Sequence, residues 1–274
     1  MDKRFILMTV SVCALAATVS YAVSDEIVES FPIAGSIPDG LAYDGSYFYV
    51  TEYIDKSILV VSPSDGSIIN TLPLTPEPPA GTILLGIAFD GTSLWVVSKG
   101  GGKKLYQVDP ANGNVLSTLP LPAPFIGENG NPAGITWDGT YLYVSNKTPG
   151  YPYLGAIDPG TGELVNSWIS SAKYPEGLAY VQHDGADYLF NVGNVDAWTY
   201  LYDTAGSIYD DEEFMLNIPG ETWWGGLTFA GSDTDLWMLM GPSATLYHLQ
   251  LDWSGGEYPK VEPASFGRIK SLYR

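Results

Sequence analysis

Strand-like segments of four to six residues, rich in aromatic and β-branched side chains, alternate along this chain with clusters of Gly, Asp, Asn and Pro. Tyr47-Phe48-Tyr49-Val50, Leu94-Trp95-Val96-Val97, Tyr141-Leu142-Tyr143-Val144 and Leu236-Trp237-Met238-Leu239 are of this kind. Their alternation predicts short strands. Each follows a segment opening on glycine: Gly40-Leu41-Ala42-Tyr43-Asp44-Gly45, Gly86-Ile87-Ala88-Phe89-Asp90-Gly91 and Gly134-Ile135-Thr136-Trp137-Asp138-Gly139. Looser copies are Gly177-Leu178-Ala179-Tyr180, which reaches Asp184-Gly185 after an insertion, and Gly226-Leu227-Thr228-Phe229, followed by Ala230-Gly231-Ser232-Asp233. The steps between these glycines are 46, 48, 43 and 49 residues, the spacing of a repeat architecture.

Each repeat has a physical logic. The glycine suits a strand whose backbone meets its neighbours near a common axis, and Asp-Gly is expected to make a two-residue hairpin with positive φ. A third strand follows, as at Leu105–Val108 and Leu154–Ile157, then a turn such as Asp109-Pro110-Ala111-Asn112-Gly113 or Asp158-Pro159-Gly160-Thr161-Gly162. Fourth strands are expected at Ser67–Leu72, Asn114–Leu119 and Glu163–Trp168. After the last third strand, Leu246–Gln250, no fourth follows, whereas Glu26–Ile33 reads as a fourth strand ahead of the first repeat. The expected fold is therefore all-β: a five-bladed β-propeller of four-stranded antiparallel blades, closed by an N-terminal strand that completes the last blade.

The Pro38-to-Ala42 opening, Leu142-Tyr143-Val144-Ser145-Asn146 and Ile157-Asp158-Pro159-Gly160-Thr161-Gly162 resemble the YVTN family of extracytoplasmic propellers, and more loosely the NHL and PQQ-type repeats. YVTN-like repeats often come in sevens, so five repeats also bring the chain near the five-bladed glutaminyl cyclases and lectins. Propellers host enzymes, lectins and scaffolds alike, so the resemblance implies architecture rather than activity.

Composition narrows the setting. Thirty-one acidic residues face twelve basic ones, a net charge of -19, which argues against nucleic acid or an anionic membrane as partner. Lys3 and Arg4, the uncharged run from Phe5 to about Thr18, and Ser20 and Ala22 read as a signal peptide over 1–22. The only cysteine, Cys13, lies inside it, so the remaining chain suits an oxidising compartment without forming disulfides. The expected organisation is this leader, a propeller over 23–259, and a basic amphipathic tail over 260–274 with Lys260, Arg268, Lys270 and Arg274. Export to the periplasm or cell exterior, as a monomer, is the corresponding expectation.

Chemistry is sought where the repeats differ. Before the repeat glycine stand Asp39, Leu85, Ala133, Glu176 and Gly225; after the second strand stand Glu52, Ser98, Asn146, Val192 and Met240, with Tyr53, Lys99, Lys147 and Asn194 beside them. These loops share one predicted face with Trp198, Trp223, Trp224, Tyr151 and Tyr153. Three readings are open. Asp39, Glu52 and Glu176, with Asn146, can hold Ca²⁺ through hard oxygen ligands. The same groups, with Tyr53, Trp198, Trp223 and Trp224, can bind a sugar, an amine or a protein between aromatic walls. Glu176 can move a proton, since Pro175-Glu176-Gly177-Leu178 faintly resembles the Glu-Gly-Leu of the glutaminyl cyclases, although their surrounding motifs are missing. A ligand-binding or interaction module is the leading expectation, with a small-molecule enzyme of cyclase or lyase type or a component of an extracellular assembly as alternatives. Asn146-Lys147-Thr148 matches a glycosylation sequon. His183 and His248 lack metal-ligand spacing. Asp210-Asp211-Glu212-Glu213 reads as a solvated turn.

Overall fold

The computed structural model describes residues 24–34, 37–148, 150–194, 198–208, 214–215, 218 and 225–253. The leader, the acidic run 210–213, Trp223, Trp224 and the tail lie outside the described residues.

The described residues form five four-stranded antiparallel sheets. Strand β1 (Ser24–Pro32) stands ahead of the first repeat. Blade 1 holds β2 (Pro38–Tyr43), β3 (Phe48–Glu52), β4 (Ser57–Val61) and β5 (Ile68–Pro73). Blade 2 holds β6 (Ile83–Phe89), β7 (Leu94–Lys99), β8 (Lys104–Val108) and β9 (Val115–Pro120). Blade 3 is β10 (Pro132–Trp137), β11 (Leu142–Thr148), β12 (Tyr151–Ile157) and β13 (Leu164–Ile169). Blade 4 is β14 (Pro175–His183), β15 (Ala186–Gly193), β16 (Trp198–Tyr202) and β17 (Phe214–Met215). Blade 5 comprises β18 (Leu227–Phe229), β19 (Asp235–Met240) and β20 (Thr245–Asp252), and β1 pairs with β20 as its outermost strand. The propeller is thus five-bladed and closed by its N-terminal strand.

The repeat glycines sit where innermost strands of adjacent blades meet. A Cβ on Gly40 would lie 2.5 Å from the Leu85 carbonyl oxygen, and one on Gly86 would lie 2.6 Å from that of Ala133. Gly134 faces the Glu176 backbone in the same way, Gly177 that of Gly225, and Gly226 that of Leu41, which returns the contact to blade 1. Side chains of facing blades fill the spaces between. Ala42, Tyr49 and Val60 of blade 1, for example, pack on Ile87, Leu94 and Val96 of blade 2. At the closing seam the Trp237 ring lies 4.8 Å from Phe48 of blade 1, 6.0 Å from Phe31 of β1 and 4.4 Å from a parallel His248.

The Asp-Gly turns differ from expectation in three blades. Tyr43 pairs with Phe48, Phe89 with Leu94 and Trp137 with Leu142, so four residues separate the strands rather than two. The aspartate builds the longer loop. Asp44 Oδ1 accepts the N–H groups of Ser46 and Tyr47, while Oδ2 accepts the Tyr49 hydroxyl. Asp90 does the same for Thr92, Ser93 and the Trp95 indole, and Asp138 for Thr140, Tyr141 and Tyr143. Only blade 4 makes the two-residue turn, with Asp184 at φ 49° and Gly185 at φ 79° between His183 and Ala186.

The outermost strands share a second device. Val28, Ile69, Leu116 and Val165 each stand unopposed between ladder pairs, a bulge at the same place in four blades, and each is about half exposed. A bulge bends and twists an edge that would otherwise offer a flat template to another chain.

Trp237→Ala removes the side chain shared by β1, blade 1 and β20. Loss of a buried tryptophan of this kind costs about 3–5 kcal/mol. Urea unfolding should show that loss, together with lower fluorescence-detected cooperativity as the seam loosens.

Candidate functional site at the channel mouth

The innermost strands of blades 1 to 4 carry a bulge beside the repeat glycine. Pro38 pairs with Glu52 and Leu41 with Val50, so Asp39 and Gly40 together face Thr51. Ala133-Gly134 face Ser145 and Glu176-Gly177 face Val192 in the same way. Bulges re-aim side chains, and here they set Asp39 and Glu176, each ahead of its glycine, beside Lys147. Hydroxyls opposite two of the bulges bind the crowded backbone. Gly40 N–H donates to Thr51 Oγ1, which donates to the Leu85 carbonyl; Gly134 N–H donates to Ser145 Oγ, which donates to the Glu176 carbonyl at 2.8 Å.

A second ring of side chains follows the second strands. The backbone N–H groups of Tyr53, Lys147 and Asn194 bond the carbonyls of Ile37, Asn131 and Tyr174, each at 2.9 Å, which fixes these equivalent residues at the mouth. Lys99 is their counterpart in blade 2, and its Nζ lies 4.9 Å from the centroid of the Tyr53 ring.

The two rings meet at Glu176. Its Oε1 pairs with Lys147 Nζ and its Oε2 accepts the Asn194 amide, so a carboxylate only 4% exposed is held from both sides. Burial works against the Lys147 ammonium, yet Glu176 and then Asp39 outweigh it and hold its pKa above the ordinary value. Asp39 is different. It is partly buried, and among the described residues no donor bonds its carboxyl. Burial first, and the Glu176 charge second, push its pKa up to about 7 against the pull of Lys147 and Lys99.

The structure thus brings Asp39, Tyr53 and Glu176 together, with Lys99, Lys147 and Asn194 completing the cluster. Two expected members point elsewhere. Glu52 is buried and accepts the Ser57 hydroxyl at 2.8 Å. Asn146 is also buried, with its Oδ1 accepting the Asn131 N–H and its Nδ2 donating to the carbonyls of Asn129 and Tyr151. It staples two loops, and a fully engaged amide is closed to glycosylation. Among the described residues no three His, Cys, Asp or Glu side chains come together as metal ligands, so Asp39, Glu52 and Glu176 do not form a calcium set. The Trp198 backbone lies in β16; its side chain, like Trp223 and Trp224, is outside the described residues.

The channel also holds an aromatic chamber. Opposite the mouth lies a chamber of about 150 Å³ walled by Tyr43, Phe89, Trp137, Tyr180 and Phe229, one aromatic from each blade. The fourth position of every repeat carried that signal in the sequence.

No protein-family model and no curated protein matches the sequence. Among solved structures, the chain is similar to a glutaminyl cyclase of Myxococcus xanthus, with a TM-score of 0.63 at 14% identity over 83% of this chain and 96% of that one. It is also similar to a chain of a nidogen/laminin complex (TM-score 0.53, 16% identity, 78% and 84% of the chains). A PQQ-bound aldose sugar dehydrogenase of Streptomyces coelicolor gives a TM-score of 0.52 at 15% identity, over 85% and 99%. Fold and likeness agree on a five-bladed β-propeller, and at these identities the likeness is one of fold alone.

The raised pKa of Asp39 has a definite sign for stability. The folded state holds this proton more tightly than the unfolded chain, whose carboxyl titrates near 3.9, so ionising Asp39 removes stability between about pH 4 and pH 7. Asp39→Asn should therefore stabilise the protein at pH 8 and leave it nearly unchanged at pH 4. At 1.36 kcal/mol per pH unit the window corresponds to about 4 kcal/mol; partial solvent contact reduces the expected gain to about 2 kcal/mol, measurable by urea unfolding at the two pH values.

Proposed function

We propose that this protein is an extracytoplasmic propeller that binds a small polar ligand at the channel mouth. The ligand best matched to the site carries both an amine and an oxygen acceptor. Asp39 carries the reading: a partly buried carboxyl without a hydrogen-bond donor among the described residues, set in a wall where Glu176, Lys147 and Asn194 already satisfy one another. Lys99, whose ammonium lies over the Tyr53 ring, supplies a cation on the same wall for a carbonyl or carboxylate of the ligand. The basic, apolar and small-residue segments at the amino terminus, and the absence of cysteine after Cys13, support export.

Titration calorimetry with 6-aminohexanoic acid, whose ammonium and carboxylate both stay ionised from pH 6 to pH 8, tests the reading. With Asp39 near 7, the attracting carboxylate rises from about a tenth to about nine tenths of molecules across that range, so affinity should rise about tenfold. Asp39→Asn should abolish both the binding and its pH dependence. Equal affinity in the variant would overturn the proposal.

A second reading, acid–base chemistry on a small molecule, is favoured by the same titration near neutrality. Its acid–base group would be Asp39 rather than Glu176, whose two carboxyl oxygens are taken up by Lys147 and Asn194. A glutaminyl cyclase assay decides it: turnover lost in Asp39→Asn supports the reading, and no turnover by the native protein removes it.

A further inference from the structure

Beside the mouth, on the same face, the segment between β9 and β10 and the β11–β12 hairpin enclose a cleft of about 440 Å³, within the range of small-molecule sites at about 300–1,000 Å³. Pro124, Ile126, Tyr151 and Tyr153 form its apolar walls, and Glu128, Asn129 and Asn146 line it as well. We propose that this cleft is a binding site for a neutral oligosaccharide, a site additional to the channel mouth.

The cleft is built rather than incidental. Phe125 is fully buried and fills the space that Gly155 leaves in β12, so the loop is anchored in the core of blade 3 at its midpoint. Lys103 Nζ donates to the carbonyls of Gly127 and Gly130, at 2.6 and 2.5 Å. Asn146 bonds the loop through Asn129 and Asn131 and the hairpin through Tyr151, and the Thr148 hydroxyl adds a bond to the Asn129 carbonyl. Both walls are thereby preorganised, which lowers the ordering cost of binding.

On this fixed frame two large apolar side chains face solvent: Tyr151 is 50% exposed and Ile126 45%. Both line the same cleft, and apolar surface gathered in one place and rimmed by polar groups marks a ligand-binding groove. A pyranose ring offers the matching chemistry, with an apolar face for Tyr151 and Ile126 and hydroxyls around its edge. The Glu128 carboxylate accepts hydroxyl hydrogens, and the Asn129 amide can both donate and accept. No lysine or arginine lines the cleft, so it offers no counter-charge to an acidic sugar or a phosphate.

A glycan array of neutral gluco-, manno- and N-acetylglucosamine oligomers, probed with the full-length protein and followed by calorimetry on the best binder, tests this. Tyr151→Ala should weaken that binder at least tenfold, Tyr151→Phe should restore it to within about threefold, and Glu128→Gln should weaken it several-fold. Tyr151 is half exposed, so thermal melting of these variants should match the native protein. Silence of the whole neutral array overturns the proposal, as does a binder unaffected by Tyr151→Ala and Ile126→Ser together, or one that prefers anionic glycans. The 6-aminohexanoic acid titration uses a different probe, so failure at the mouth and failure at the cleft are read separately.

Discussion

The close approach of five inner strands around the axis is the constraint on which the rest of the molecule depends. Backbone meets backbone at Gly40, Gly86, Gly134, Gly177 and Gly226, and even one methyl group at these points would push neighbouring blades apart. The approach also demands that buried carbonyls find donors, which Thr51 and Ser145 provide across the blade boundary. Wedges of apolar side chains then fill the widening space outward, and Trp237 fills the last of it at the seam.

The site follows from the same crowding. In blades 1 to 4 the chain bulges beside the glycine, and the residue ahead of it shares that bulge. Four of the blades place Leu85, Ala133, Gly225 or the paired Glu176 ahead of the glycine, and blade 1 places Asp39. Desolvated by its neighbours and repelled by Glu176, Asp39 is held near half-ionised at neutrality, while Glu176 is paired with Lys147. One carboxylate is thus held in structural contacts, and the other is left without a bonded donor among the described residues.

Much of this was legible in the chain itself. The glycine period, the misplaced fourth strand and the loop positions of Asp39, Glu176, Tyr53, Lys99, Lys147 and Asn194 could all be read from it, because repeats make every exception visible. What could not be read was direction. Glu52 and Asn146 pair with the equivalent prolines, Pro38 and Pro132, yet one bonds Ser57 and the other staples the Asn131 loop to its neighbours. The turn length was misjudged because Asp-Gly has a local preference for two residues, whereas Asp44, Asp90 and Asp138 each reach a ring on the next strand and need four. The cleft beside blade 3 was invisible for a similar reason, since its loop is shaped by contacts of Phe125, Lys103 and Asn146 that lie far apart in sequence.

The borrowed strand has a consequence for how the molecule is made. Glu29 meets His248 across 219 residues, so the first strand to leave the ribosome waits for the last before it finds its place. Blades 1 to 4 can assemble largely from neighbours in sequence, but the ring cannot lock until synthesis is nearly finished. Until then two bare strand edges face the surroundings. Any force or protease that frees β1 would therefore open the ring at the same seam, because that one strand joins the two ends of the array.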